Sequence, residues 1–296
     1  MISRCVGTLT GVLGVLLVTA GCASLTDGRD HLSPGLEYRL HELEEPRPNR
    51  VHALRVDLAS MKIQPAVVIA ADPDGDGPAE AALTDPLKLA GDRSVLALVN
   101  TNPWDSFPDI AGERNRNWFE GQPVDIHGLA VSHGQVRSPA QPSAPSVWVN
   151  RRGRVAMGDG PGDRPVAEAM AGFQQIVREG AVVVPRGGTL HPRTAIGVDR
   201  NGIMMWLVVV DGRQEQFSEG MNLYELGRLM LDLGCWSAMN MDGGGSSIMG
   251  LARAGGRLRV VSSPSDRHLG SPSIRPLPMI LTIRKKAGFQ AVSHHE

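Results

Sequence analysis

Three consecutive glycines, Gly243, Gly244 and Gly245, stand between Asp242 and the pair Ser246-Ser247, and a run of this kind commits the chain to a sharp bend from which side chains are excluded. Without Cβ atoms the backbone enters left-handed conformations and can bring several N–H groups to one ligand, as peptide loops do around phosphate oxygens. The residues just before, Ala238-Met239-Asn240-Met241, read as a short strand, with Asn240 and Asp242 on one face and Met239 and Met241 on the other. Upstream, Asn222 and Glu225 have capping-box spacing, and Met221 and Leu226 stand where a hydrophobic staple would put them. Leu223, Leu226, Leu229, Met230 and Leu233 then recur at three- and four-residue steps before Gly234, which predicts a helix over 223–233. Helix, strand and glycine loop thus form one compact unit, with the loop at the strand's carboxyl end. At this level Asp242 reads either as a site carboxylate or as a satisfied loop residue.

The start of the chain addresses location. Arg4 precedes an apolar run over 12–20 that ends in Thr19-Ala20-Gly21-Cys22, an export signal at 1–21 with a lipobox-like end, although Thr19 stands where Leu or Val is more usual. The run is too short to span a bilayer comfortably. Cleavage before Cys22 and acylation of its sulfur would leave a lipoprotein at the cell envelope, held to the membrane by its N-terminal lipid and facing the periplasm or exterior. An ordinary secretory peptide is the alternative. Cys5 would be removed and Cys22 acylated, leaving Cys235 with no intrachain partner and no disulfide framework. A net charge of -1 without a dense basic patch argues against a nucleic-acid partner. Residues 22–50, with Pro34, Pro46 and Pro48, read as a tether and irregular lead-in, 51–286 as one domain, and 287–296 as a flexible tail.

Aromatic residues make up only 4% of the chain, while 35 glycines and 21 prolines imply many turns and short strands. Strands are expected over 51–58 and 63–70 as a pair, and over 95–100, 147–150, 154–157 and 181–184. Residues 126–131 and 135–137 form a hairpin around Ser132-His133-Gly134, and a helix lies near 83–90, limited by Pro86 to a late start. The clearest hairpin joins 193–198 to 203–210 through Asp199-Arg200-Asn201-Gly202. If that four-residue turn fixes the register, Arg193 lies opposite about Val208, near Asp211. Both charges then sit at one rim, either as a structural pair or with Arg193 as a bidentate clamp for phosphate. The expected class is α+β, a single domain with a mixed, mainly antiparallel β-sheet flanked by a few helices.

Taken in order, His191-Pro192-Arg193-Thr194-Ala195-Ile196-Gly197, Asp211-Gly212-Arg213, Gly220-Met221-Asn222-Leu223, the segment from Asn240 to Ser247, Ser263-Pro264-Ser265-Asp266 and Arg275-Pro276 resemble the phosphodiester glycosidases. Weaker likeness extends to Asn100 and to Gly128-Leu129-Ala130-Val131. The resemblance spans roughly residues 51–284, with Thr101-Asn102-Pro103-Trp104 and the insert over 105–125 departing from the animal enzyme of the family. It implies hydrolysis of the glycosyl–phosphate bond of a sugar-1-phosphodiester in an envelope or scavenged glycan; the residues themselves offer no cofactor motif and no metal-ligand spacing.

That activity is chemically consistent with the residues present. A phosphate monoester is stable as an anion, its second ionisation lying near ~6, so the leaving group needs little acid assistance. The site must instead stabilise charge building on phosphate and support an oxocarbenium-like sugar. Among the residues the chain offers, Asp242 is the expected nucleophile or base, with Asp211 and Glu219 in reserve, and Arg193 is the expected cation. Asn100, Asn240, Gly243, Gly244, Gly245, Ser246, Ser247, Glu219 and Asp266 are expected to bind the sugar phosphate or glycan substrate. A glycan- or phosphate-binding lipoprotein without catalysis and a phosphodiesterase cleaving P–O are the rival readings. Asp72-Pro73-Asp74-Gly75-Asp76-Gly77 imitates a calcium loop, but its twelfth position is Leu83 and not the bidentate Glu.

Overall fold

A computed structural model describes residues 29–253 and 255–286 of the chain. The export signal, Cys22 and the tail over 287–296 lie outside these residues. Every strand pairing among the described residues is antiparallel. The α+β class stands, strongly weighted to β. The mixed, single sheet expected from the sequence is corrected to several sheets without parallel pairs. Parallel neighbours need crossovers of a dozen or more residues, usually helical, whereas the two α-helices described are the five-residue Pro86–Ala90 and the ten-residue Leu223–Asp232.

The largest sheet has eight strands, in the order Arg29–Ser33, Leu36–Leu43, Asn49–Asp57, Met204–Val210, Arg193–Val198, Ser237–Asn240, Gln174–Arg178 and Ala181–Val182. A second sheet orders Leu258–Val260, Met249–Ala252, Val95–Asn100, Met279–Lys285 and Ile63–Ile69. One apolar cluster draws on both, with Leu54, Ile196, Leu207 and Met239 from the first and Val67, Leu98 and Ile280 from the second. The opposite face of the large sheet is covered by the helix Leu223–Asp232, whose Leu226 and Met230 join Ala195, Val208 and Ala238 in a separate cluster. A third sheet of five strands, built around Val166–Ala171, completes the body.

Two expectations are corrected here. Residues 29–43 of the lead-in are two strands of the large sheet, because Leu36 and Tyr38 bury against the core and Leu36–Leu43 pairs along its whole length with Asn49–Asp57. Arg47 further ties this segment to Glu225. The strands near 51–58 and 63–70 are not partners: Asn49–Asp57 is flanked on both sides by Leu36–Leu43 and Met204–Val210, so the chain crosses to the second sheet after it.

The helix begins as its sequence requires. Asn222 Oδ1 accepts from Glu225 N at 2.9 Å and Glu225 Oε2 accepts from Asn222 N at 3.0 Å, so two otherwise orphaned N–H groups are satisfied reciprocally. The hairpin of Arg193–Val198 and Met204–Val210 forms, but with Arg193 opposite Val210 and not Val208. Asp199 Oδ1 draws the N–H groups of Ile203 and Met204 into the turn at 2.8 and 2.9 Å, which lengthens it and shifts the register by two.

Candidate functional site

The glycine loop follows the strand Ser237–Asn240 and is pinned from three sides. Met241 N donates to Thr194 O, Asp242 N to Thr101 O and Gly244 N to Pro192 O, each at 2.9 Å. Asn100, buried at the end of its own strand, donates from Nδ2 to Asp242 O at 2.7 Å. Its Oδ1 accepts from Thr194 Oγ1 at 2.7 Å and Ile248 N at 3.1 Å. Asn100 is therefore a clamp on the loop, its side chain spent on Asp242, Thr194 and Ile248 in place of the sugar or phosphate contact expected of it. Gly244–Ser246 is one turn of 3-10 helix, in which Ser246 N and Ser247 N donate back to Gly243 O and Gly244 O. The expected cradle of backbone N–H groups is thus largely spent on the loop itself, and anion recognition falls to the side chains around it.

Those side chains come from distant loops. Arg275 donates to Asp266 through Nε at 2.8 Å and Nη2 at 3.0 Å, a bidentate pair, while its Nη1 reaches Ser246 Oγ at 3.3 Å. The pair lies directly on Gly245, where a Cβ would overlap both Asp266 Oδ1 and Arg275 Nη2. On the other side, both terminal nitrogens of Arg213 stand 3.2 Å from the position a Cβ on Gly244 would take. Arg213 occupies the left-handed region at φ 59, a conformation that costs a residue with a side chain on the order of 1 kcal/mol or more and so points to a functional constraint. Arg213 Nη2 is 3.3 Å from His191 Nδ1.

Asp242 keeps partial exposure at the bend, yet its carboxyl is surrounded by protein. Burial pushes its pKa up to about 6, opposed by hydrogen bonds from Ser246 and Gly243 N–H and by the charge of Arg275, and reinforced by that of Asp266. His191 is held below the ordinary imidazole value, first by burial and then by the charges of Arg193 and Arg213. Thr101 Oγ1, Asn240 Oδ1 and Ser247 Oγ, all buried, have no hydrogen-bond partner within the protein.

The remaining sequence candidates sit elsewhere than expected. Arg193 donates from Nε to Met221 O at 2.9 Å and from Nη2 to Thr189 O at 3.1 Å, so it fastens the helix start and does not reach Asp211 or clamp the loop. Asp211 is buried: its Oδ2 meets His52 Nε2 at 3.1 Å, its Oδ1 accepts from Ser263 N at 2.8 Å, and His52 Nδ1 meets Tyr38 Oη at 2.9 Å. Both oxygens are thus committed, to His52 and to Ser263 N, and Asp211 supports the loop at Ser263 in place of the reserve catalytic role expected of it. Asp211→Ala should leave the buried His52 without its partner and lower unfolding free energy by about 3 kcal/mol, measured by urea denaturation. Asp266 is committed to Arg275 and so acts on the loop through it. Glu219 is half-buried, its backbone N donating to Pro48 O at 3.0 Å and its O accepting from Arg213 N at 3.2 Å. Among the described residues no cluster of three or more His, Cys, Asp or Glu could hold a metal ion. The calcium-like turn is closed by Asp72 Oδ1, which accepts from Asp74 N and Gly75 N.

The family model for phosphodiester glycosidases matches residues 111–284, a stretch that carries the glycine loop and the segments bearing His191, Arg193, Asp211, Arg213, Asp266 and Arg275, but not Asn100 or Thr101. The chain belongs to the phosphodiester glycosidase family. It is 30% identical over 103 residues to the bovine (Bos taurus) N-acetylglucosamine-1-phosphodiester alpha-N-acetylglucosaminidase, covering 29% of this chain and 19% of that protein. Over 57 residues it is 44% identical to a prophage-derived uncharacterized protein of Bacillus subtilis, covering 19% of this chain and 8% of the other. The chain thus spans less than a fifth of the length of either curated relative in these matches. The zebrafish N-acetylglucosamine-1-phosphodiester alpha-N-acetylglucosaminidase catalytic domain, auto-inhibited by its pro-peptide, shares the fold. It has a TM-score of 0.62 at 22% identity, with 86% of this chain and 85% of that chain covered.

In this family member the sequence points to Asp242 and its loop but not to the cations Arg213 and Arg275 or to the imidazole of His191 around it. Each lies in a motif that carries the family likeness, and each sits on a loop where no periodicity signals direction. The signal available was Gly212. A Cβ there would stand 2.6 Å from Pro192 N and 3.0 Å from the Gly220 Cα, so the small residue lets three backbone segments meet and delivers Arg213 to the glycine loop.

Proposed function

We propose that this chain hydrolyses the bond between the anomeric carbon and phosphate of a sugar-1-phosphodiester. Asp242 acts as nucleophile or base at the sugar, and Arg213 with His191 binds the phosphate. The observation that carries this reading is the Asp242 carboxyl, held at raised proton affinity next to Ser246 and Arg275, with the Arg213 guanidinium lying over the adjoining Gly244. Arg275 is charge-balanced by Asp266. Arg213 has no carboxylate within ion-pair distance among the described residues and lies over the loop, whereas the Arg193 guanidinium is committed to two backbone carbonyls, so Arg213 is the cation available to a substrate anion. Fixed cations aimed at developing phosphate charge supply the larger part of such catalysis, because the leaving group needs little proton assistance. Family membership supports the glycosyl phosphodiester as substrate class.

The assay is release of reducing sugar from a glycosyl phosphodiester by the purified protein; phosphate-ester binding with no sugar released would replace this reading with that of a binding protein. The export signal read at 1–21 extends the proposal to glycans of the envelope or scavenged outside the cell, with a lipid on Cys22. Palmitate label incorporated by the wild type and lost in Cys22→Ala tests the anchor.

A further inference from the structure

We propose that His191 is a second catalytic residue of this site, a neutral Nε2–H donor to the departing phosphate that takes up a proton when the dianionic product forms. This inference rests on the reading above and adds a residue and a protonation event to it.

The tautomer follows from geometry. A guanidinium has no acceptor, so the 3.3 Å approach of Arg213 Nη2 to His191 Nδ1 makes Nδ1 the acceptor and leaves the ring proton on Nε2. The residue is also fixed in place: His191 N donates to Met221 O at 3.3 Å and Met221 N donates to His191 O at 3.1 Å. The charges that act on the ring are Arg193, two residues on at the start of the following strand, and Arg213 from the loop after Asp211; Asp242 on the glycine loop faces Arg275 and Asp266. Arg213 has no carboxylate within ion-pair distance among the described residues, so its positive charge is left unbalanced at the lip of Gly244. Two neighbouring guanidiniums disfavour a third positive charge while the site is empty; a bound dianion reverses that preference.

The chemistry balances without a proton from His191. As the C1–O bond breaks, its electron pair stays on the phosphate oxygen and the monoanionic diester becomes a dianionic monoester. Water supplies the new oxygen at C1, directly or by opening a glycosyl–Asp242 ester, and its proton passes to the Asp242 carboxylate and then to solvent. The second negative charge appears next to His191, which donates a hydrogen bond from Nε2 and then binds a solvent proton at Nδ1, while Arg213 Nη2 gives up its hydrogen bond to that nitrogen and turns to the dianion. Product held this way leaves faster as the pH rises.

Sulfate is the appropriate probe, because it stays dianionic across the range in which His191 and Asp242 titrate. Titrating sulfate at constant ionic strength into Asp242→Asn, which removes the second titrating group, should show about tenfold tighter binding near pH 5 than near pH 8, equal to a one-unit rise in the His191 pKa. Asp242→Asn/His191→Gln keeps a neutral donor and should change by less than about twofold over the same range. Imidazole carbon resonances of His191 should report the same pKa rise on sulfate addition. Equal pH dependence in the two variants, an unmoved His191 titration, or no sulfate binding overturns the proposal. Sulfate binding with this pH signature but no sugar release from any glycosyl phosphodiester overturns the hydrolase reading instead.

Discussion

Asp242→Asn should lower turnover of a glycosyl phosphodiester by about 10³-fold or more while raising the unfolding temperature at neutral pH. The two effects together separate a catalytic carboxylate from a structural one. The pKa of Asp242 is raised from 3.8 to about 6, chiefly by burial, so the folded protein binds this proton more tightly than the unfolded chain. Stability contributed by the protonated form is fully present below about pH 4 and is lost as the pH climbs through about 6. Two pKa units correspond to ~2–3 kcal/mol, reduced here because the residue keeps some access to solvent. Asn carries no such cost. The variant should therefore melt higher than the wild type near pH 7.5 and converge with it near pH 3.5. In the wild type the same titration sets the acid limb of the activity profile: kcat/KM should fall as pH drops below about 6, because the base or nucleophile must be ionised. A destabilised Asp242→Asn with unchanged turnover would return Asp242 to the role of a satisfied loop residue.

Arg213→Ala should cost about 10²–10³ in kcat/KM, the usual loss when one preorganised donor to a developing oxyanion is removed, with little change in stability because its side chain is exposed. Arg193→Ala should behave in the opposite way. Its guanidinium ties Thr189 O to Met221 O at the helix start; Met221 O keeps the His191 N–H and Thr189 is exposed, so the loss is that of two hydrogen bonds, about 1–2 kcal/mol in unfolding free energy. Steady-state kinetics and urea denaturation on the same pair of variants decide the matter. A larger kinetic defect in Arg193→Ala would restore the assignment that the motif alone suggested.

The contrast between those arginines marks what was legible in the sequence. The capping box of Asn222 and Glu225, the strand into Asn240 and the bend at three glycines are local, fixed by residues within a few positions of one another, and all three form as read. Arg193 misled because its direction depends on register, and the Asp199 carboxylate adds two residues to the turn that sets it. Asp211 looked like a rim charge, but its imidazole partner His52 lies 159 positions away, a separation no spacing rule reaches. Asn100 sits beside the glycine loop, but its three hydrogen bonds run to Asp242, Thr194 and Ile248, partners that no local pattern announces. The strands over 29–43 were hidden by nearby prolines, although Leu36 and Tyr38 carry the alternation of a half-buried strand. In each case the missing information was tertiary: which loop arrives beside which, and with how much room.

The central claim is that Asp242 and the cations around the glycine loop break the bond between carbon and oxygen, not the one between oxygen and phosphorus. Hydrolysis of a glycosyl phosphodiester in oxygen-18 water, followed by mass spectrometry of both products, tests this most directly. The site described here predicts the label on C1 of the released sugar and none on the phosphate monoester; label on the phosphate would contradict it.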